Sequence, residues 1–155
     1  MDNPFMARAI QLSIENVLSG RGGPFGAVIA NNGETIAEAA NQVSFRNDPT
    51  AHAEITAIRE ACSKLRRFDL EGCEIYTSCE PCPMCLGAIY WARIDRIYFA
   101  SDAADASQAG FDDSLIYREF SLDRLQRKIP MVQMMREQGF EAFRTWKNSP
   151  NKIAY

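Results

Sequence analysis

The stretch Cys73-Glu74-Ile75-Tyr76-Thr77-Ser78-Cys79-Glu80-Pro81-Cys82-Pro83-Met84-Cys85 decides the fold. After Gly72, residues Cys73 to Ser78 read as a strand, and the prolines that follow suit a first helical turn, where an amide hydrogen would lack an intrahelical partner anyway. A helix is therefore expected from about Cys82 to Arg93, followed by a buried strand at Arg96-Ile97-Tyr98-Phe99-Ala100. Strand, helix, strand implies parallel pairing and an α/β chain.

Working outward, Asp48-Pro49-Thr50 resembles a helix start, and Ala53, Ala57, Ile58, Ala61 and Leu65 give that helix an apolar face. Its far end carries Lys64, Arg66 and Arg67, which read better as cations complementing the helix dipole than as a phosphate site. Before it, Ala27-Val28-Ile29-Ala30, the turn Asn31-Asn32-Gly33 and the run Thr35 to Val43 predict a hairpin. The glycines of Arg21-Gly22-Gly23-Pro24-Phe25-Gly26 match no phosphate-binding fingerprint. They form a plain turn or let backbone approach a ligand closely. Asn3 and Pro4 open a first helix with Met6, Ile10, Ile14 and Val17 at helical spacing. Residues Ser101 to Gly110 are undecided between short helix and loop. Ile129-Pro130-Met131-Val132-Gln133-Met134 predicts an edge strand, because its proline cannot donate to a ladder, and a helical stretch then runs to about Lys147.

The 155 residues are 46% apolar and 24% charged, which excludes disorder and gives one ordinary domain over 1–155. A net charge of −3 and a pI near 5.2 offer no large basic surface to a polyanion, so nucleic acid is not an expected partner. No run approaches the roughly 20 apolar residues of a membrane span. Met1-Asp2-Asn3-Pro4 begins an amphipathic segment rather than a secretion signal. A cytoplasmic location is expected, and in a reducing compartment five cysteines, three of them at 79, 82 and 85, point to a metal.

The chemistry concentrates in His52-Ala53-Glu54 and Pro81-Cys82-Pro83-Met84-Cys85, two helix starts that one sheet edge could bring together. A helix N-terminus favours thiolate over thiol. His52, Cys82 and Cys85 then make three ligands for one zinc ion, leaving a fourth position for water or hydroxide, as catalytic sites do. Cys79 would instead complete a closed Cys3His structural cage, the site of a zinc-stapled interaction module without enzyme activity. Glu54 argues for the open site, as a carboxylate able to take a proton from water. Its alternative is helix-start electrostatics. Residues two apart share no helix face, so the pair requires a special first-turn geometry.

These residues resemble the signature of the cytidine-deaminase-like zinc deaminases, His-x-Glu with Pro-Cys-x-x-Cys. Together with Gly22-Gly23-Pro24-Phe25-Gly26-Ala27-Val28, Asn47 to Glu54, Tyr76 to Arg93, Ala109-Gly110-Phe111-Asp112-Asp113-Ser114 and the terminal Asn151-Lys152 and Tyr155, they are similar to the bacterial guanine deaminase branch over nearly the whole chain. The resemblance implies a three-layer α/β/α sandwich around a mixed, roughly five-stranded sheet. It also implies zinc-dependent hydrolysis of guanine to xanthine and ammonia, with Glu54 as the proton carrier and Asp113 as a second acid. Asn41 is implied to hydrogen-bond the substrate, with Phe25 and Trp91 as pocket aromatics. It further implies a homodimer that exchanges C-terminal segments, about 136–155, so that Tyr155 acts across the interface. Taken alone, Asp113 also reads as part of a solvated turn, Asn41 as a polar strand end, and the aromatics as core. Another base, a nucleoside or an aminotriazine would use the same zinc chemistry. A tRNA adenosine deaminase would call for basic residues that this acidic chain lacks.

Overall fold

The computed structural model describes residues 3–155; Met1 and Asp2, at the head of the expected amphipathic segment, lie outside the described residues. Helix α1 (Pro4–Leu18) opens as expected, with Asn3 Oδ1 accepting the Met6 amide hydrogen at 3.0 Å and Pro4 beginning the helix. Strands β1 (Gly26–Asn31) and β2 (Glu34–Ala40) form the hairpin, closed by Asn32 and Gly33 at φ 49° and 82°, the double positive φ of a tight hairpin turn. A short α2 (Val43–Arg46) and the longer α3 (Ala53–Leu65) follow, then β3 (Cys73–Cys79), α4 (Pro83–Trp91), β4 (Arg96–Ser101) and α5 (Ala103–Gln108).

The sheet order is β2-β1-β3-β4. Strand β1 runs antiparallel to both neighbours, and β3 pairs parallel with β4, as the strand-helix-strand reading requires. Gly26 faces Ala40, Ala27 faces Thr77, and Cys79 faces Ser101. The start of β1 and the ends of β2, β3 and β4 therefore share one edge of the sheet, and α3 and α4 both begin there.

Alternate residues of β1 supply two cores, as the pleat demands. Ala27 and Ile29 join Ile75, Ala53, Ala57, Ala61 and Ile89 beneath α3 and α4, whereas Val28 and Ala30 join Tyr76 and Ala9 beneath α1. Ile29 and Ile75 are fully buried, each contributing about 1.5–3 kcal/mol of transfer free energy. Two of the glycines are required by close packing. A Cβ on Gly26 would strike the Ala9 carbonyl of α1, and one on Gly22 would meet Asn41 O at 2.5 Å, so both admit close backbone packing.

Several expectations need correction. The buried face of α1 is Ala9, Ser13 and Asn16, while Ile10, Ile14 and Val17 are exposed. Small residues bring the helix close to the sheet, and the Asn16 amide donates to Gly23 O at 2.8 Å and Asn41 O at 2.9 Å. Strand β2 ends at Ala40, and Val43 opens α2 instead. Asp48-Pro49-Thr50 is an Asx turn rather than a helix start, with Asp48 Oδ1 accepting from Thr50 N at 2.8 Å and Oγ1 at 2.7 Å. Strand β4 is largely exposed because it is the sheet's edge.

The expected strand at 129–134 does not form. Its Met131 amide donates to Arg124 O at 3.2 Å, a local turn in place of a ladder. Among the described residues the sheet has four strands rather than five. By contact density the chain divides into Met1–Asp113, which holds the sheet and helices α1–α5, and Ser114–Tyr155, which holds α6 (Ser114–Phe120) and the expected terminal helix α7 (Arg136–Asn148). The undecided segment before them resolves into α5, closed by a reciprocal capping box between Asp102 and Asp105.

Candidate metal centre and active site

Two helix N-termini build the site in the same way. His52 caps α3 at φ −65°, ψ 159°, and Cys82 caps α4 at φ −65°, ψ 167°; neither side chain makes a capping hydrogen bond. Extended backbone at each cap leaves the side chain free of the helical row. This supplies the first-turn geometry that His52 and Glu54 require: His52 precedes the helix and Glu54 lies in its first turn. Cys85 follows Cys82 one turn along, at the third position of α4.

His52, Cys82 and Cys85 present ligand atoms within 4.8 Å of one another. Cys82 Sγ lies 3.6 Å and Cys85 Sγ 3.5 Å from His52 Nδ1. Zinc–sulfur bonds of about 2.3 Å and a zinc–nitrogen bond of about 2.0–2.1 Å, at a tetrahedral angle, put each sulfur about 3.6 Å from the nitrogen. One imidazole and two thiols at that spacing fit zinc. Cys79 does not join them: its Sγ donates to Asp102 O at 3.6 Å, and burial pushes its thiol up to about 11. The cluster of ligand atoms among the described residues therefore has three members and not four.

The electrostatics are those of sulfurs sharing a proton. The Cys82 thiol is held down at about 4, first by the Cys85 hydrogen bond and then by His52 against the opposing cost of burial. Cys85 is pushed up by donating to Cys82, and His52 is raised by its bond to Cys82. Glu54 is only 6% exposed, and that burial raises its carboxyl above the ordinary range, with Cys82 and Cys85 among its neighbours. A buried, raised carboxyl beside the ligands is suited to carrying protons.

Other expected residues fall unevenly. Asn41 is buried at the end of β2, its N–H donating to Phe25 O at 3.0 Å and its Oδ1 accepting from Val43 N at 3.2 Å. Gln42 N–H donates to Ala51 O at 2.9 Å, tying this corner to the residue before His52. Asp113 feels the charge of Cys82 and is raised chiefly by partial burial. Phe25 packs edge-on against Phe111 with centroids 4.9 Å apart, and both line a cavity of about 320 Å³ with Ser78 and Cys79. Trp91 ends α4, opposite to its ligand-bearing start, and is 70% exposed. Tyr155 belongs to the second unit and is 73% exposed. The sequence reading passed over Glu80, whose Oε2 accepts the Ala103 amide at 3.2 Å. The available signal was a carboxylate set between Cys79 and the ligand turn.

No described helix is long and apolar enough to cross a membrane. Residues 1–101 match the cytidine and deoxycytidylate deaminase zinc-binding region. The chain is similar to a guanine deaminase of Bacillus subtilis, at 52% identity over 97% of each protein. The X-ray structure of guanine deaminase from that organism superposes with a TM-score of 0.96 at 51% identity, over 100% of this chain and 99% of that one. A guanine deaminase from Nitrosomonas europaea gives 0.67 at 30% identity, over 92% of this chain and 74% of that one. A tRNA-specific adenosine deaminase from Aquifex aeolicus is 49% identical over 78 residues, 50% of this chain and 52% of that protein. With its ligand triad at two helix starts and this likeness along its length, the chain belongs to the cytidine and deoxycytidylate deaminase family of zinc-binding proteins.

Proposed function

We infer that this protein is a guanine deaminase, hydrolysing guanine to xanthine and ammonia in purine metabolism. The observation that carries the chemistry is the three-ligand cluster of His52, Cys82 and Cys85 beside the buried carboxyl of Glu54. Guanine is favoured over other amines by the 52% identity to a guanine deaminase across 97% of the chain, whereas the similarity to the Aquifex tRNA deaminase covers only half of it.

Zinc held by the triad supplies the Lewis acidity that makes water a nucleophile at neutral pH. Glu54 takes the proton that water loses as its oxygen bonds to C2 of the purine. It returns that proton to the ring nitrogen, then takes the remaining hydroxyl proton of the adduct and passes it to the amine, which departs as ammonia as the C2–N bond breaks. Asp113 is the second proton carrier, on the substrate or the leaving group, and its partly buried, raised carboxyl suits that work. Asn41 offers its amide to the base: Val43 engages its oxygen, and its NH2 end makes no hydrogen bond among the described residues. Phe25 gives the pocket an aromatic wall, and Tyr155 closes it from a second subunit.

That last step makes the protein a homodimer whose 1–155 segment forms one functional domain by exchanging residues 136–155. Its support is that α6 and α7 bury no residue, while Phe140, Phe143 and Trp146 stand exposed along α7. A cytoplasmic location accords with five unpaired cysteines.

The test is ammonia release from guanine, guanosine, adenine, cytosine and cytidine by protein carrying about one zinc per chain. Release from guanine alone is expected. Preference for another amine would overturn the substrate while keeping the chemistry, and silence from folded, metallated protein would overturn the reaction.

A further inference from the structure

Glu80 takes no part in the chemistry above, yet it joins two segments on which the site depends. Its backbone N–H donates to Ser101 O at 2.8 Å, extending the β3–β4 ladder one step beyond the Cys79–Ser101 pair. Its carboxylate accepts the Ala103 amide at 3.2 Å. Cys79 Sγ adds a third tie, to Asp102 O. Residues 79 and 80, immediately before the Pro81-Cys82 ligand turn, thus grip residues 101–103, the entry to α5.

Helix α5 is tied at both ends. At its start, Asp105 N donates to Asp102 Oδ1 at 2.9 Å and Asp102 N donates to Asp105 Oδ2 at 3.1 Å. That box uses the Asp102 and Asp105 amides, so the Ala103 amide depends on Glu80. At the far end, Phe111 N donates to Ala106 O at 2.9 Å and the Phe111 ring packs on Phe25. Asp113 follows two residues later, with Cys82 and Glu80 among the charges it feels.

We propose that Glu80 is a positioning residue for Asp113: by accepting the Ala103 amide it anchors α5 to the ligand turn, and α5 carries Asp113 to the site. This rests on the reading of Asp113 as a proton carrier. Leaving the Ala103 amide unpaired releases the α5 entry, and misplacing a catalytic group by about 1 Å costs about 10²-fold in rate.

The experiment measures kcat for guanine, zinc content and thermal stability of the holoenzyme in a series of variants. Glu80→Ala is expected to lower kcat by about 10²-fold with zinc near one per chain. Glu80→Gln, whose side-chain carbonyl still accepts the amide hydrogen, is expected to recover most of it. Ala103→Pro removes the same hydrogen bond from the donor side. Proline is tolerated at a first helical position, and Asp102 already holds the extended backbone, φ −95° and ψ 178°, that a following proline requires. It should match Glu80→Ala, and it keeps the proposal testable if Glu80→Ala folds poorly. In an Asp113→Asn background neither change should lower kcat further, because residues acting through one another are not additive. Full additivity, Glu80→Gln as impaired as Glu80→Ala, or an unimpaired Ala103→Pro would overturn the positioning role alone. An unimpaired Asp113→Asn would overturn it together with the assignment of Asp113.

Discussion

The units Met1–Asp113 and Ser114–Tyr155 handle apolar side chains in opposite ways. In the first, Val28, Ile29, Ile75 and Leu70 are fully buried, and the helices that cover them are spaced by alanines. In the second, α7 has the composition of a packed amphipathic helix, with aromatics at 140, 143 and 146 set among Arg136, Glu137, Glu141 and Arg144, yet nothing on it is buried. The same periodicity is satisfied within the chain in one unit and unspent in the other. Periodicity reports that a face must be covered and says nothing of which chain covers it.

The sharpest break between the units comes from the metal centre, which lies wholly in the first. With one histidine in the chain, no other imidazole can replace His52. His52→Ala should abolish turnover and strip zinc, read as metal content after gel filtration; full stoichiometry in that variant would sink the ligand assignment. Glu54→Gln should keep zinc and fold while lowering kcat by about 10²–10⁴-fold, the usual worth of a positioned proton carrier. Measured together, the two separate holding the metal from moving the proton. Unchanged turnover in Glu54→Gln would return that residue to helix-start electrostatics.

The same comparison explains what could be read in advance. The two cysteine ligands were legible because their spacing is local, a cap and a third position within one helical turn, and His52 because it is the chain's one histidine. The parallel β3–β4 pair was legible because chirality and length leave few alternatives. The spacing of Met6, Ile10, Ile14 and Val17 marks α1 as a helix, but its buried face is Ala9, Ser13 and Asn16, which hydropathy alone would not select. What decides that face is how closely the helix can approach the sheet, as Gly26 shows. Glu54 stayed ambiguous because its role depends on a backbone angle at His52 that no residue pattern encodes. Segment 129–134 has the residues of a strand, but its backbone pairs locally.

If the second unit is completed in trans, deleting Lys152 to Tyr155 should spare zinc and the fold of the first unit. It should lower kcat/KM by roughly tenfold, equivalent to about 1.4 kcal/mol for one lost contact to the substrate. A mixed dimer sharpens the point. Glu54→Gln in a full-length chain and the tail deletion in another are each impaired alone. Together they should regain activity, because one site would then hold both an intact Glu54 and an intact tail. Absence of complementation in a dimer shown to be mixed would place the tail in its own subunit.

The smallest expected effect lies in the first unit, outside the ligand cluster, where Glu38 on β2 accepts from Arg8 on α1 at 2.6 and 3.0 Å. Both side chains are over a third exposed, so solvent screening limits the pair to about 0–1 kcal/mol. The Arg8 hydrogen bond holds the Glu38 carboxyl below its ordinary value of 4.5. A depressed carboxylate stabilises the fold above the unfolded value, and that contribution is lost as pH falls through the folded one. Glu38→Gln should therefore be less stable than the parent by under about 1 kcal/mol at neutral pH, with the difference closing in acid as pH falls from the ordinary carboxylate value through the lower folded one. Urea unfolding of both proteins at matched zinc loading reads it directly. A difference that persisted unchanged into acid would mean that the glutamine lost packing against α1 rather than charge, so that even this surface contact would follow the close-approach rule that shapes the rest of the first unit.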